Sequence, residues 1–135
     1  MSVDIKTVPN GALYPLSGIV TVSLAAAAAT TLYTVPTGYT AVIDHVDIII
    51  SADASTSALT IGRSTALTDF LDTQTLSALD ADGDVGVMRP VPDATTAKQK
   101  SYAAGTIIQV NVTTGNGNAT NYMIVWGYLA VAGTI

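Results

Sequence analysis

Cysteine is absent from this 135-residue chain, so there is no disulfide framework, no thiolate nucleophile and no zinc–thiolate site. Glutamate is absent too: all ten acidic residues are Asp. Lys and Arg together number five, the net charge is −5, and charged residues are 11% of the chain against about 25% in an average soluble domain. Five scattered cations cannot form the basic stripe that phosphate neutralisation needs, which argues against a nucleic-acid-binding domain. There is one His, one Trp and one Phe. A folded chain of 13.8 kDa should expose roughly 6,600 Å². Spread over that area the charges are sparse, and the mean hydropathy of +0.46 agrees. Part of the surface is therefore expected to be covered by another molecule.

No charge occurs between Lys6 and Asp44, and Gly18–Val35 could be mistaken for a membrane span. That run is rich in Thr, Ser and Ala, holds few large aliphatics and is followed by Pro36 and Gly38, so no membrane partner is expected. Met1-Ser2-Val3-Asp4-Ile5-Lys6 lacks the basic and then apolar pattern of a secretory leader, and none is expected. The two sequons at Asn111 and Asn118 then read as accidental.

What is present is β-patterned. Residues 1–17 are broken by Pro9, Asn10-Gly11 and Pro15 and read as an irregular arm anchored by Val3, Ile5, Val8, Leu13 and Tyr14. From 18 to 135 a single domain is expected. Val20, Val22 and Leu24 alternate with Thr21 and Ser23, Pro36-Thr37-Gly38 makes a turn, and Tyr39–Ile50 is a long β-branched strand. Ala25–Ala29 reads as a loop or a short helical turn. Further strands are expected at Thr31–Val35, Ala58–Gly62, Val85–Arg89, Thr106–Thr113 and Tyr122–Ala132, with a polar edge strand in Thr95–Tyr102. Thr65–Leu79 is ambiguous between a short helix and a strand with a loop. About eight short strands with regular turn signals, and few good helix formers, predict an all-β sandwich, jelly-roll-like, behind its N-terminal arm.

The last strand is apolar on both faces. Tyr122, Ile124, Trp126, Tyr128 and Ala130 take one side, and Met123, Val125, Gly127, Leu129 and Val131 the other. A sandwich strand with one wet face should alternate instead. One side is expected to fill the core and the other to pack against a loop, the N-terminal arm or, the favoured reading, a second subunit, with Trp126 and Tyr128 as interface candidates.

Chemistry is thinly represented. His45 lies between Asp44 and Asp47, but on a regular strand Asp44 points away from it and nothing resembles a nucleophile elbow. A structural His bonded to Asp47 or a neighbouring strand is expected. In Asp80-Ala81-Asp82-Gly83-Asp84, the carboxylates of Asp80, Asp82 and Asp84 could converge on a Ca²⁺. The run departs from an EF-hand at Val85 and Val91, and a solvated acidic turn is the plainer reading. There is no phosphate loop or dinucleotide fingerprint, so no enzyme, cofactor or resident metal is expected.

Leu32-Tyr33-Thr34-Val35-Pro36-Thr37-Gly38-Tyr39-Thr40-Ala41-Val42-Ile43, a later Ala104-Gly105-Thr106-Ile107-Ile108 and the closing Trp126-Gly127-Tyr128-Leu129 resemble a pattern of small β-sandwich virion proteins of tailed bacteriophages. The resemblance spans residues 19–132 and leaves out the arm and the acidic turn. It implies a capsid decoration (cement) protein, made in the host cytoplasm and residing on the capsid surface. Its implied partners are copies of itself, as a dimer or trimer, and the major capsid protein, and it implies no direct nucleic-acid contact. By the same analogy the arm, with Val3, Ile5, Leu13 and Tyr14, reaches a neighbour. A neck, head-fibre or tail component is the alternative within that family of roles; a carbohydrate-binding sandwich module is the alternative outside it.

Overall fold

The computed structural model describes residues 12–91, 97–98 and 101–133; Val3, Ile5 and most of the arm lie outside them. Ten strands form two antiparallel sheets, and no helix occurs among the described residues. They are β1 (Tyr14–Pro15), β2 (Val20–Val22), β3 (Ala28–Thr34), β4 (Tyr39–Ile50), β5 (Ala58–Arg63), β6 (Ala66–Thr75), β7 (Val85–Met88), β8 (Ser101–Tyr102), β9 (Ile107–Thr114) and β10 (Asn121–Val131).

In sheet A, β10 lies between β4 on one side and β1 with β2 on the other, while β7 and β8 share the far side of β4. Sheet B runs β3-β9-β5-β6. The pairing is nested: β2 with β10, β3 with β9, β4 with β7 and β8, β5 with β6. That is a long hairpin rolled into two layers, the jelly roll. Between the layers lie the large apolar residues of both inner faces, among them Ile43, Ile48, Phe70, Ile108 and Met123, all fully buried. Each such side chain contributes about 1.5–3 kcal/mol relative to an exposed one.

Two expectations are corrected and one ambiguity is resolved in favour of a strand with a loop. The alanine patch is not all loop: β3 begins at Ala28, whose partner is Val112. Thr65–Leu79 is a strand for most of its length, and the register shifts between β5 and β6 account for its broken period. The arm is not irregular throughout, because Tyr14 and Pro15 pair with Gly127 and Trp126 at an edge, where Pro costs no ladder bond.

The feature that shapes the outer surface is a bulge in β4. Trp126 pairs with His45 and Gly127 with Ile43, which leaves Asp44 without an opposite residue. The inward set therefore changes parity, from Ala41 and Ile43 before it to Val46, Ile48 and Ile50 after it. The close approach requires glycine at 127: an added Cβ would lie 2.1 Å from the Val42 carbonyl oxygen. Nearby, Ser17 Oγ accepts a 2.9 Å bond from the Val125 amide, filling the gap between β1 and β2 along the β10 edge.

Candidate interaction surface

The outward residues of sheet A stand in cross-strand rows. Val85, Ile49, Tyr122 and Thr21 form one row, and Val87, Asp47 and Ile124 the next. His45, Trp126 and Pro15 follow, then Ser101, Val42 and Tyr128. Val85 and Val87 are 54% and 58% exposed, and Ile49, Ile124, Trp126 and Tyr128 are half-buried. The outward positions of sheet B differ in kind. On β9 they are Ile107, Gln109, Asn111 and Thr113, with Ile107 exposed at the strand's start, and Gln109 Nε2 donates 3.3 Å to Thr31 Oγ1 of β3. The outward side of β9 is thus mostly polar, whereas the outward rows of sheet A are largely apolar.

His45 sits at the centre of the apolar face. Its ring stacks on Trp126 with centroids 5.8 Å apart and planes 12° apart. Nδ1 lies 2.7 Å from Asp44 Oδ2 and Nε2 lies 3.6 Å from Asp47 Oδ1. The contact with Asp44 corrects the expectation from a regular strand: the bulge re-aims Asp44 toward its neighbour. Arg89 Nη2 adds a 3.6 Å contact to Asp44. No Ser is placed against His45 by a hydrogen bond among the described residues, and both ring nitrogens face carboxylates, so the arrangement lacks a nucleophile to activate. Asp47 Oδ1 and Trp126 Nε1 are buried without hydrogen-bond partners. Beside Trp126 is a shallow hollow of about 390 Å³ lined by Pro15, Gly18, Ile19 and Ile124.

The acidic turn is held by its own backbone. Asp84 Oδ2 accepts from the amides of Asp80 and Ala81 at 3.1 and 3.0 Å, and Gly83, at φ +88°, donates to the Ile50 carbonyl. Among the described residues no group of three or more His, Cys, Asp or Glu is placed to hold a metal, the Asp80, Asp82 and Asp84 set included. Of the arm anchors, Tyr14 is half-buried on β1 and Leu13 is half exposed.

The Asn/Gly loop before β10 is a clasp. Asn121 is fully buried and donates to the carbonyls of Val22 and Asn118; Asn118 Nδ2 donates to Asn121 Oδ1 and to the Ala52 carbonyl; Asn116 Nδ2 donates to the Asp53 carbonyl at 2.7 Å. These amides join two loops and the end of β2, which leaves little of their bonding capacity for a ligand.

A second buried polar group was not legible in the sequence. Asp69 of β6, nearly buried, takes the Arg63 amide and guanidinium of β5 and the Tyr102 hydroxyl of β8, the last at 3.2 Å. It ties sheet A to sheet B. Burial, reinforced by the Asp69 carboxylate, pushes the Tyr102 hydroxyl well above the ordinary tyrosine range, and burial alone pushes Tyr33 up to about 12. The apolar rows that sequence reading missed are Val85, Val87 and Ile49. The available signal was Val85-Gly86-Val87, two apolar residues of one parity on a short strand.

No family model and no curated protein matches the chain. Among solved structures, one chain of the cyanophage Pam1 capsid asymmetric unit is similar at 14% identity and a TM-score of 0.48. The match covers 90% of this chain and 88% of that one.

Proposed function

We propose that this chain is a non-enzymatic structural protein of a phage virion, decorating and stabilising the capsid through contacts with its own copies and with the major capsid protein. The observation that carries the assembly half of this reading is the outer face of sheet A, whose rows are built largely of Val, Ile, Tyr and Trp, while β9 of sheet B presents Gln, Asn and Thr beside Ile107. The phage half rests on the resemblance of residues 19–132 to small virion sandwiches. A decoration protein needs a rigid body and a contact face, and no catalytic chemistry. Many copies on a symmetric shell hold by multivalency, so modest single contacts suffice. The sugar-binding alternative loses support because Trp126 stacks on His45 in mid-sheet and the loop amides are spent on the clasp.

Antibody raised against the purified chain tests the reading. It should label the capsid surface of virions of the virus that encodes the chain, and stripping the chain should lower the shell's resistance to heat. Label on the neck or tail would replace decoration with another virion role. Absence of the chain from purified virions would overturn both.

A further inference from the structure

Three properties of the outer face of sheet A bear on what covers it. The first is area. The 34 strand residues of sheet A, at about 4.8 Å by 3.4 Å each, give a plane of about 550 Å². A stable protein interface buries about 800 Å² per partner, so the face can supply most of one contact. The second is charge. Among the described residues the charged groups within the rows or in contact with them include Asp44, His45, Asp47 and Arg89, which face one another at 2.7–3.6 Å, and Asp84 precedes Val85. Among the described residues these charges answer one another rather than a strongly acidic or basic partner, although the chain as a whole carries −5. The third is shape. A twisted antiparallel sheet packs best on another sheet, at about 30° and about 10 Å, and a like sheet in a second copy meets that requirement without any new surface. A two-fold axis then closes the contact and leaves no open end.

We propose that a second copy of this chain covers the outer face of sheet A, the two sheets packing face to face about a two-fold axis with Ile49, Val85, Val87, Tyr122 and Ile124 in the contact. The proposal rests on the assembly reading above and specifies its surface and its partner. The outer side of sheet B remains outward in the pair.

The absence of cysteine makes the test clean. Three variants suffice: Val87→Lys, Val85→Cys and Thr113→Cys. Val87 is exposed and lies opposite Asp47, so a lysine there meets a carboxylate and the fold is expected to survive. Circular dichroism and thermal unfolding check that it does. The expected results are a solution mass that falls by half in Val87→Lys, and copies joined by a short bismaleimide through Val85→Cys but not through Thr113→Cys. An oligomer that persists in Val87→Lys and links through Thr113→Cys would overturn this proposal and leave the assembly reading intact. A monomeric wild type whose binding to shells is lost in Val87→Lys would also overturn it, because the face would then meet a different protein. A folded monomer that binds no shell would sink the assembly reading itself.

Discussion

Replacing Gly127 by Ala probes the bulge on which the outer face depends. The backbone of Gly127 is not in the left-handed region, so the cost comes from contact alone. The new Cβ would lie 2.1 Å from the Val42 carbonyl oxygen, 3.1 Å from Ile43 Cα and 3.1 Å from Leu16 Cδ1. Two of those three atoms are backbone of the facing strand and cannot swing aside. To reach ordinary contact, β10 and β4 must part by about 1 Å, which lengthens the ladder bonds on both sides of the bulge. Overpacking costs about 1–3 kcal/mol and each weakened bond about 1 kcal/mol, while the reduced freedom of the unfolded chain returns about 0.5 kcal/mol. The net expectation is a loss of about 3 kcal/mol, a large share of the 5–15 kcal/mol typical of a domain. At this chain length that lowers Tm by about 10–15 °C. Urea unfolding followed by the fluorescence of Trp126, the sole tryptophan, measures it directly. Gly86→Ala is the comparison. Its Cβ meets only the side-chain ends of Ile48 and Leu79, at 3.1 Å, so a smaller loss is expected. A Gly127→Ala protein within 1 kcal/mol of wild type would refute the close-approach reasoning.

Three further outcomes are expected. Asp69→Ala strands the Tyr102 hydroxyl and removes the Arg63 partner, and should cost about 2–3 kcal/mol by urea titration; a neutral result would mean the link between the sheets adds nothing. Stability should fall above about pH 10. Tyr33 and Tyr102 both hold their protons more tightly folded than unfolded, so their contribution is complete below the unfolded pKa and is lost as pH rises through about 12 for Tyr33 and beyond it for Tyr102. Tyr33→Phe and Tyr102→Phe should each flatten that fall in an alkaline thermal-unfolding series, and an unchanged slope in both counts against the burial argument. Asn121→Ala leaves the Val22 and Asn118 carbonyls short of a donor and should cost about 1–3 kcal/mol, read by faster amide exchange in residues 114–120 than in β4.

The limits of β4 are legible because a twelve-residue run made mostly of β-branched and aromatic residues lies between a Pro-x-Gly turn and a polar one. The outer face is legible in part, since β10 is apolar at both parities and no single-faced core explains that. The bulge at Asp44 is not legible: an extra residue changes parity without changing composition, and it is fixed by Gly127 more than eighty positions away. β6 misleads for a related reason. Leu67, Phe70, Leu71 and Leu76 are spaced like a helix because register shifts against β5 interrupt the two-residue period. Asp69 cannot be distinguished from the other nine aspartates until β8 brings Tyr102 to it.

Light scattering behind size exclusion on the unmodified protein tests the central claim, that a second copy of the chain covers the apolar face of sheet A. The account predicts a stable particle of twice the 13.8 kDa chain mass, persisting on dilution through the column. A well-behaved species of 13.8 kDa at every concentration would contradict it.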